Sequence, residues 1–256
     1  MRAVEDRVNI LGVGVSVLTM ETALQRIEDF LDRGERGYIC VVGAQGIMEA
    51  QGDPEYRDIL NSSFLATPDG MPTVWLGKYH GFRHMGRVYG PRLMLALCAT
   101  SVAKGYRHFL YGGRPGVVEK LKFELTQKYP GLKIVGAYTP PFRPLTREEE
   151  QELVSQVQAS AADVFWCGLG APKQERFMAS YRERLPVRLM IGVGAAFDIL
   201  SGTTREAPEW VLRSGLTSIF RVCQEPRRLW RRYLINNPRF MWLTFLQLSG
   251  LRRFDL

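Results

Sequence analysis

Val164-Phe165-Trp166-Cys167-Gly168-Leu169-Gly170-Ala171-Pro172-Lys173-Gln174-Glu175 is the stretch on which the fold turns. Four bulky apolar residues in a row read as a short strand buried on both faces, as in a parallel sheet. Two glycines follow, and Pro172 stands where a helix can start, because the first helical N–H has no partner to lose. The unit is therefore strand, tight glycine turn, helix. The turn falls at the carboxyl end of the strand, the edge at which ligands bind in open α/β sheets. It also sets an amide, a carboxylate and a cation (Gln174, Glu175, Lys173) on the first helical turn, where sugar or nucleotide hydroxyls can be gripped; a solvated helix start is the plain alternative.

The same alternation extends in both directions. Short apolar runs predict strands over residues 39–42, 64–66, 109–111, 134–137, 164–167 and 189–193. Between them Leu24, Ile27, Phe30 and Leu31 share one helical face, Pro91 can open a helix reaching about residue 103, and Thr146 with Glu149 forms a capping box for a helix to about residue 158. Repeated strand–helix units imply an α/β fold: a Rossmann-like, mostly parallel sheet with helices on both faces.

Composition narrows the setting. The 256 residues, 46% of them hydrophobic, suffice for a full core, yet no run approaches the about 18–20 apolar residues of a spanning helix. The first residues mix acids with bases and carry no small-residue cleavage site, so no signal peptide is expected. Four scattered cysteines without a C-x-x-C spacing point to reduced, buried thiols in the cytoplasm, and three scattered histidines argue against a zinc site. Charge is strongly uneven. Residues 202–256 hold ten arginines, no lysine and four acids, an excess of six out of the net +8. Trp210, Phe220, Trp230, Tyr233, Phe240, Trp242 and Phe245 lie in the same stretch. An arginine-aromatic surface suits a membrane face, a nucleic acid or an anionic lipid-linked substrate. The residues around Ser201–Glu206 predict a boundary, giving a core over 1–204 and a helical, membrane-associating appendage over 205–256. Pro226 is expected to start a helix, Asn236-Asn237-Pro238 to break it, and Arg221, Arg228 and Arg231 to fall near one helical side, able to make bidentate contacts to phosphate.

Other chemistry-bearing positions also follow strands. Asp69 in Thr67-Pro68-Asp69-Gly70 can serve as a general base, or be an ordinary Asp-Gly turn. Gly112 and Gly113 can let main-chain N–H groups approach an anion at a helix start, although the full G-x-G-x-x-G fingerprint is missing. Gly192-Val193-Gly194-Ala195-Ala196-Phe197-Asp198 permits close approach to a ligand at Gly194, with Asp198 able to bind a base or ribose; tight loop packing is the alternative.

Taken together, Thr67–Pro72, Arg87-Val88-Tyr89-Gly90, Gly170–Glu175, Gly192–Asp198 and Gln224-Glu225-Pro226-Arg227-Arg228-Leu229-Trp230-Arg231-Arg232-Tyr233 resemble the WecG/TagA/CpsF glycosyltransferases from about Val8 to about Phe240. Five motifs in order are specific where each alone is not. The resemblance implies an inverting enzyme that moves a sugar from a UDP-sugar to a polyprenyl-diphosphate-linked glycan acceptor at the cytoplasmic membrane surface. It implies Asp69 as the base, Arg221, Arg228 and Arg231 as appendage arginines that complete the site, and Gln174 and Asp198 at the nucleotide sugar. The substrate shell is expected to include Gly43, Gln45, Arg87, Gly112, Gly113, Phe142, Gly170, Pro172, Lys173, Glu175 and Gly194. No cofactor is expected. Nor is a metal, because the chain has no D-x-D, and arginines are the substitute for neutralising the departing UDP. Val42-Gly43, Gln45 and Arg92 depart from the family pattern in the sugar-recognition shell. Pro140–Thr146 and Gly70-Met71-Pro72 look like the exopolysaccharide branch, which leans the donor to UDP-glucose or a related hexose over UDP-N-acetylmannosamine. A site completed by an appendage and an apolar tail lead us to expect a homo-oligomer. The rival readings are a catalytically inactive scaffold of a polysaccharide assembly complex, and a nucleic-acid-binding module. The second is weakened because the aromatics of the tail follow helical spacing beside leucines.

Overall fold

The computed structural model describes residues 6–256, apart from the side chains of Arg228 and Arg232. In chain order the elements are β1 (Arg7–Ile10), β2 (Val13–Ser16), α1 (Met20–Asp32), β3 (Gly37–Val42), α2 (Ala44–Ala50), α3 (Pro54–Asn61), β4 (Leu65–Pro68), α4 (Met71–Tyr79), α5 (Gly90–Lys104) and β5 (Arg107–Gly112). They continue with α6 (Val117–Lys128), β6 (Lys133–Tyr138), α7 (Arg147–Ser160), β7 (Val164–Gly168), α8 (Lys173–Tyr181), β8 (Leu189–Gly192), α9 (Ala196–Leu200), α10 (Glu209–Ser214), α11 (Thr217–Gln224) and α12 (Pro226–Leu248). The six expected strands are all present, each end within two residues of its expected place. They form one sheet in the order β4-β3-β8-β7-β5-β6, with parallel registers from β3 through to β6 and flanking helices.

The chain groups into two compact units. One comprises residues 6–20, Val41–Tyr89 and Glu206–Leu256; the other Glu21–Cys40 and Gly90–Arg205. In the second unit β7 is buried along Val164, Phe165, Trp166 and Cys167, as its unbroken apolar run predicts. The edge strand β6 differs from that expectation. It alternates exposed and half-buried residues, because an outer strand meets the core on one face only. α1 buries Ala23, Ile27, Phe30 and Leu31, and the capping box at Thr146 and Glu149 is formed in both directions. Three cysteines are buried as expected; Cys223 is exposed.

The first unit holds an element that no strand expectation covered. β1 and β2 are an antiparallel hairpin whose turn places Leu11 at φ 54° and Gly12 at φ 82°. A leucine in the left-handed region is uncommon, and it gives no turn signal of the Asn-Gly kind. Tertiary partners hold it there. Leu11 N–H donates to Gln247 Oε1 at 3.0 Å, Gln51 Nε2 donates to Leu11 O at 2.7 Å, and Gln247 Nε2 donates to Asn9 O at 3.0 Å. Asn9 in turn donates to Phe254 O at 2.6 Å. The carboxyl end of α12 and the residues after it are thus bonded into the amino-terminal hairpin.

Two expectations for the C-terminal helices are corrected. Glu225 leaves the helical region at φ −131°, because a residue before proline is disfavoured there, so Arg221 lies on α11 and Arg228 and Arg231 on α12 instead of on one helix. Conversely, α12 runs through Pro238 without ending. An internal proline costs about 3 kcal/mol. Burial of Leu229, Phe240 and Leu243 and side-chain bonds from Asn236, Asn237 and Gln247 offset it. Among the described residues no helix is long and apolar enough to cross a membrane.

Gln247→Ala removes both bonds to the hairpin turn, those to the N–H of buried Leu11 and to the carbonyl of half-buried Asn9. We expect a loss of about 1–3 kcal/mol, read as a fall in Tm of several degrees in thermal unfolding. An unchanged Tm would mean the hairpin does not depend on α12.

Candidate active site

In the first unit the site is built around Asp69. β4 delivers it, and its main chain is fixed on both sides. Its N–H donates to Val42 O at 3.0 Å, Arg87 Nε donates to its carbonyl, and Val88 N–H donates to Pro68 O at 2.8 Å. α4 begins immediately afterwards, with Gly70 as its N-cap. The carboxylate lies over Gly43, where a Cβ would stand 3.7 Å from Asp69 Oδ2; a larger side chain there would fill the space beside the carboxylate. Arg87 reaches further, with Nη1 donating to Leu212 O of α10 at 2.8 Å, and its guanidinium lies 4.4 Å from the centre of the Tyr89 ring. Burial raises the Tyr89 phenol well above its ordinary range. The charges of Asp69 and Glu206 add to the rise, while Arg87 and Arg221 oppose it. Asp69, Arg87, Glu206 and Arg221 are therefore electrostatic neighbours of one phenol, and the hydroxyl stays protonated at any physiological pH.

Gln45 is used differently from the expected substrate contact. Its Nε2 donates to Asn237 Oδ1 and its Oε1 accepts from Asn236 Nδ2, both at 2.9 Å, so both ends of its amide hold α2 to α12. Arg221 is half-buried on α11. Arg231 is exposed on α12 with its guanidinium 5.3 Å from the Trp230 ring. The Arg228 side chain lies outside the described residues.

In the second unit the glycine loops sit after β5, β7 and β8. Gly112 has φ 129°, and a Cβ there would lie 2.6 Å from the main-chain carbon of Gly168; Gly113 N–H donates to Gly168 O at 3.1 Å. Two loops thus touch through bare backbone, which only glycine permits. Gly170 has open space around its Cα, whereas Gly194 abuts the Gln174 amide, with a Cβ only 3.3 Å from Oε1. Gln174 and Glu175 are just 3% and 1% exposed. Gln174 Oε1 accepts from Gly170 N–H at 3.1 Å, and its Nε2 donates to Glu175 Oε1 at 2.8 Å. The expected gripping pair thus also braces the loop from beneath. Pro172 caps α8 after a cis peptide bond, and Lys173 is exposed at its first position. Asp198 pairs with Arg114 Nη2 at 3.2 Å on the partly exposed surface, beside the Gly112-Gly113 turn. Phe142 stands 84% exposed in the loop between β6 and α7.

Several participants were not singled out from the sequence: Tyr89, Glu206, Arg114, Asn236 and Asn237. Arg114 directly follows the Gly-Gly pair, a signal that could have marked it. Asn236 and Asn237 read as helix breakers because their partner lies 191 and 192 residues away. Among the described residues, no three His, Cys, Asp or Glu side chains group as a metal site would need.

A parallel sheet with glycine turns at its strand ends, and a carboxylate fixed beside one of them, is the arrangement of an α/β protein with a ligand-binding edge. The profile of the "Glycosyl transferase WecG/TagA/CpsF family" matches residues 8–254, and the chain belongs to that family. Among curated proteins it is 30% identical over 206 residues, 80% of this chain and 78% of the relative, to the N-acetylglucosaminyldiphosphoundecaprenol N-acetyl-beta-D-mannosaminyltransferase of Bacillus subtilis strain 168. It is 29% identical over 205 residues, 80% of this chain and 77% of the relative, to the enzyme of the same name from Bacillus spizizenii strain W23.

Gly112→Ala forces a Cβ into the Gly168 backbone at a positive φ. We expect a loss of about 1–3 kcal/mol, measured by thermal unfolding. Wild-type stability would remove the close-approach argument.

Proposed function

We propose that the protein is an inverting glycosyltransferase that moves a hexose from a UDP-sugar to a polyprenyl-diphosphate-linked glycan acceptor in surface polysaccharide synthesis, working peripherally at the inner face of the cell membrane. The observation that carries this reading is the family match along almost the whole chain, together with the Thr67-Pro68-Asp69-Gly70 motif, which ends β4 and sets Asp69 directly after it. Both relatives are named for transfer to an undecaprenol-diphosphate-linked sugar, which supports the acceptor class.

In this reading Asp69 takes the proton from the acceptor hydroxyl. The oxygen attacks the anomeric carbon from the face opposite UDP, the bond from that carbon to the diphosphate oxygen breaks, and UDP leaves with inversion. The departing diphosphate gains charge, and Arg221, Arg228 and Arg231 neutralise it in the role a metal plays in D-x-D enzymes. Gly112, Gly113, Gly170 and Gly194 let main chain approach the nucleotide sugar. Gln174 and Glu175 shape the Gly170 turn that meets it; Pro172 and Lys173 open α8 directly after that turn, Asp198 lies on α9, and Phe142 stands in the loop between β6 and α7. Gly43 and Gln45 flank the Asp69 loop. Pro140–Thr146 and Gly70-Met71-Pro72 favour UDP-glucose as donor; the names of the two relatives make UDP-N-acetylmannosamine the direct competitor in any assay.

The appendage carries the membrane reading. α12 exposes Trp230, Leu234, Ile235, Met241, Trp242 and Phe245, among Arg227, Arg231 and Arg239. Apolar side chains entering the headgroup region, with arginines meeting anionic lipid, are how interfacial helices bind. Self-association is part of the same proposal.

Asp69→Asn should keep the fold and the stabilisation by UDP in EDTA while kcat falls about 10²–10⁴-fold; near-normal turnover would sink the assignment. Replacing Trp242 and Phe245 together with serine, which spares the Gln247 and Asn9 bonds that a truncation would cut, should reduce flotation with anionic vesicles at least several-fold. Undiminished flotation would place the membrane contact elsewhere.

A further inference from the structure

Arg87 belongs to a motif whose arginine invites a phosphate-binding reading, yet its guanidinium is already engaged. Nε donates to the Asp69 carbonyl and Nη1 donates to the Leu212 carbonyl, across 125 residues of sequence. The planar fork of an arginine can bridge two carbonyls set apart in this way, whereas a lysine ammonium is a single point of charge. The face of the guanidinium rests on Tyr89 at 4.4 Å. Tyr89 in turn packs against the buried cluster of Ala207, Val211 and Leu212, together with Phe220. One side chain thus connects the main chain of the Asp69 turn, the carboxyl half of α10 and an aromatic seat in the α10–α11 core. The other anchor of the turn, Asp69 N–H to Val42 O at 3.0 Å, fixes its opposite side.

We propose that Arg87, seated on Tyr89, is a positioning residue that couples the docking of α10 to the placement of the Asp69 carboxylate, so that the base is set for proton transfer only when the segment after Glu206 is in place. The inference rests on Asp69 being the base. Misplacing a reacting group by about 1 Å costs on the order of 10²-fold in rate. A residue that acts through another loses its effect once that other is gone, whereas independent contributions multiply.

The test is a double-mutant cycle in the full-length protein, with kcat and the donor KM measured for wild type, Asp69→Asn, Arg87→Lys and the double variant, and with UDP-induced stabilisation as the control for donor binding. We expect Arg87→Lys to lower kcat about 10–100-fold with donor KM and UDP stabilisation nearly unchanged, and to cost less than about 3-fold in the Asp69→Asn background. Tyr89→Phe, which keeps the ring, should restore most of the turnover lost in Tyr89→Leu. A raised donor KM, lost UDP stabilisation and multiplying effects would show that Arg87 binds the substrate anion and would overturn the proposal while leaving Asp69 as the base. An active Asp69→Asn would instead overturn the functional reading itself. Should Arg87→Lys fail to fold, Tyr89→Leu, which removes the seat and leaves both hydrogen-bond donors in place, carries the same comparison.

Discussion

Everything in the second unit depends on main chain meeting main chain at the carboxyl ends of β5 and β7. Parallel strands must be joined by crossovers, so their ends release loops side by side, and here those loops approach until Gly113 N–H reaches Gly168 O at 3.1 Å. No Cβ fits at Gly112. The constraint explains why a chain that lacks the full dinucleotide fingerprint still carries glycines at its strand ends. It also explains why Gln174 turns inward. A loop held only by glycines needs a brace, and a buried amide that accepts from Gly170 N–H and donates to Glu175 provides one at the cost of being hydrogen-bonded at both ends.

In the first unit the equivalent role falls to long-range polar contacts. The Asp69 turn is held by Val42 and Arg87, α2 by the Gln45 amide against Asn236 and Asn237, and the hairpin turn by Gln51 and Gln247. Each satisfies polar groups that would otherwise be left without partners, and each joins segments far apart in sequence. The residues after Glu206 are for this reason less an added tail than a part of the unit that holds the proposed base. Their outer surface exposes aromatics such as Trp230, Trp242 and Phe245.

Much of the fold was legible because the signals are local. A run such as Val164–Cys167 needs only apolar side chains of the right shape to become a buried strand. The Thr146–Glu149 box closes within one turn, and Pro91 and Pro226 mark helix starts through the fixed φ of proline. Asp69, Gly112 and Gly170 could be singled out as candidates because strand-to-turn junctions in such folds lie at the edge where ligands bind. What was missed is not local. The β1–β2 turn has leucine where a hairpin signal would have asparagine, and the Asn236-Asn237-Pro238 break failed because bonds and burial supplied from elsewhere outweigh one missing helical hydrogen bond.

The sequence by itself determined the six strands of the main sheet, the glycines at the strand ends, the concentration of arginine in the last fifth of the chain and the motifs that place the protein among glycosyltransferases. Each of these is written in side-chain type and short-range spacing. Tertiary structure decided which polar side chains face inward. Gln45, Gln174 and Arg87 have the same donors and acceptors whether they grip a substrate or their own backbone. Only the folded position of their partners selects between the two: 18 to 192 residues away for Arg87 and Gln45, and within the same glycine turn for Gln174.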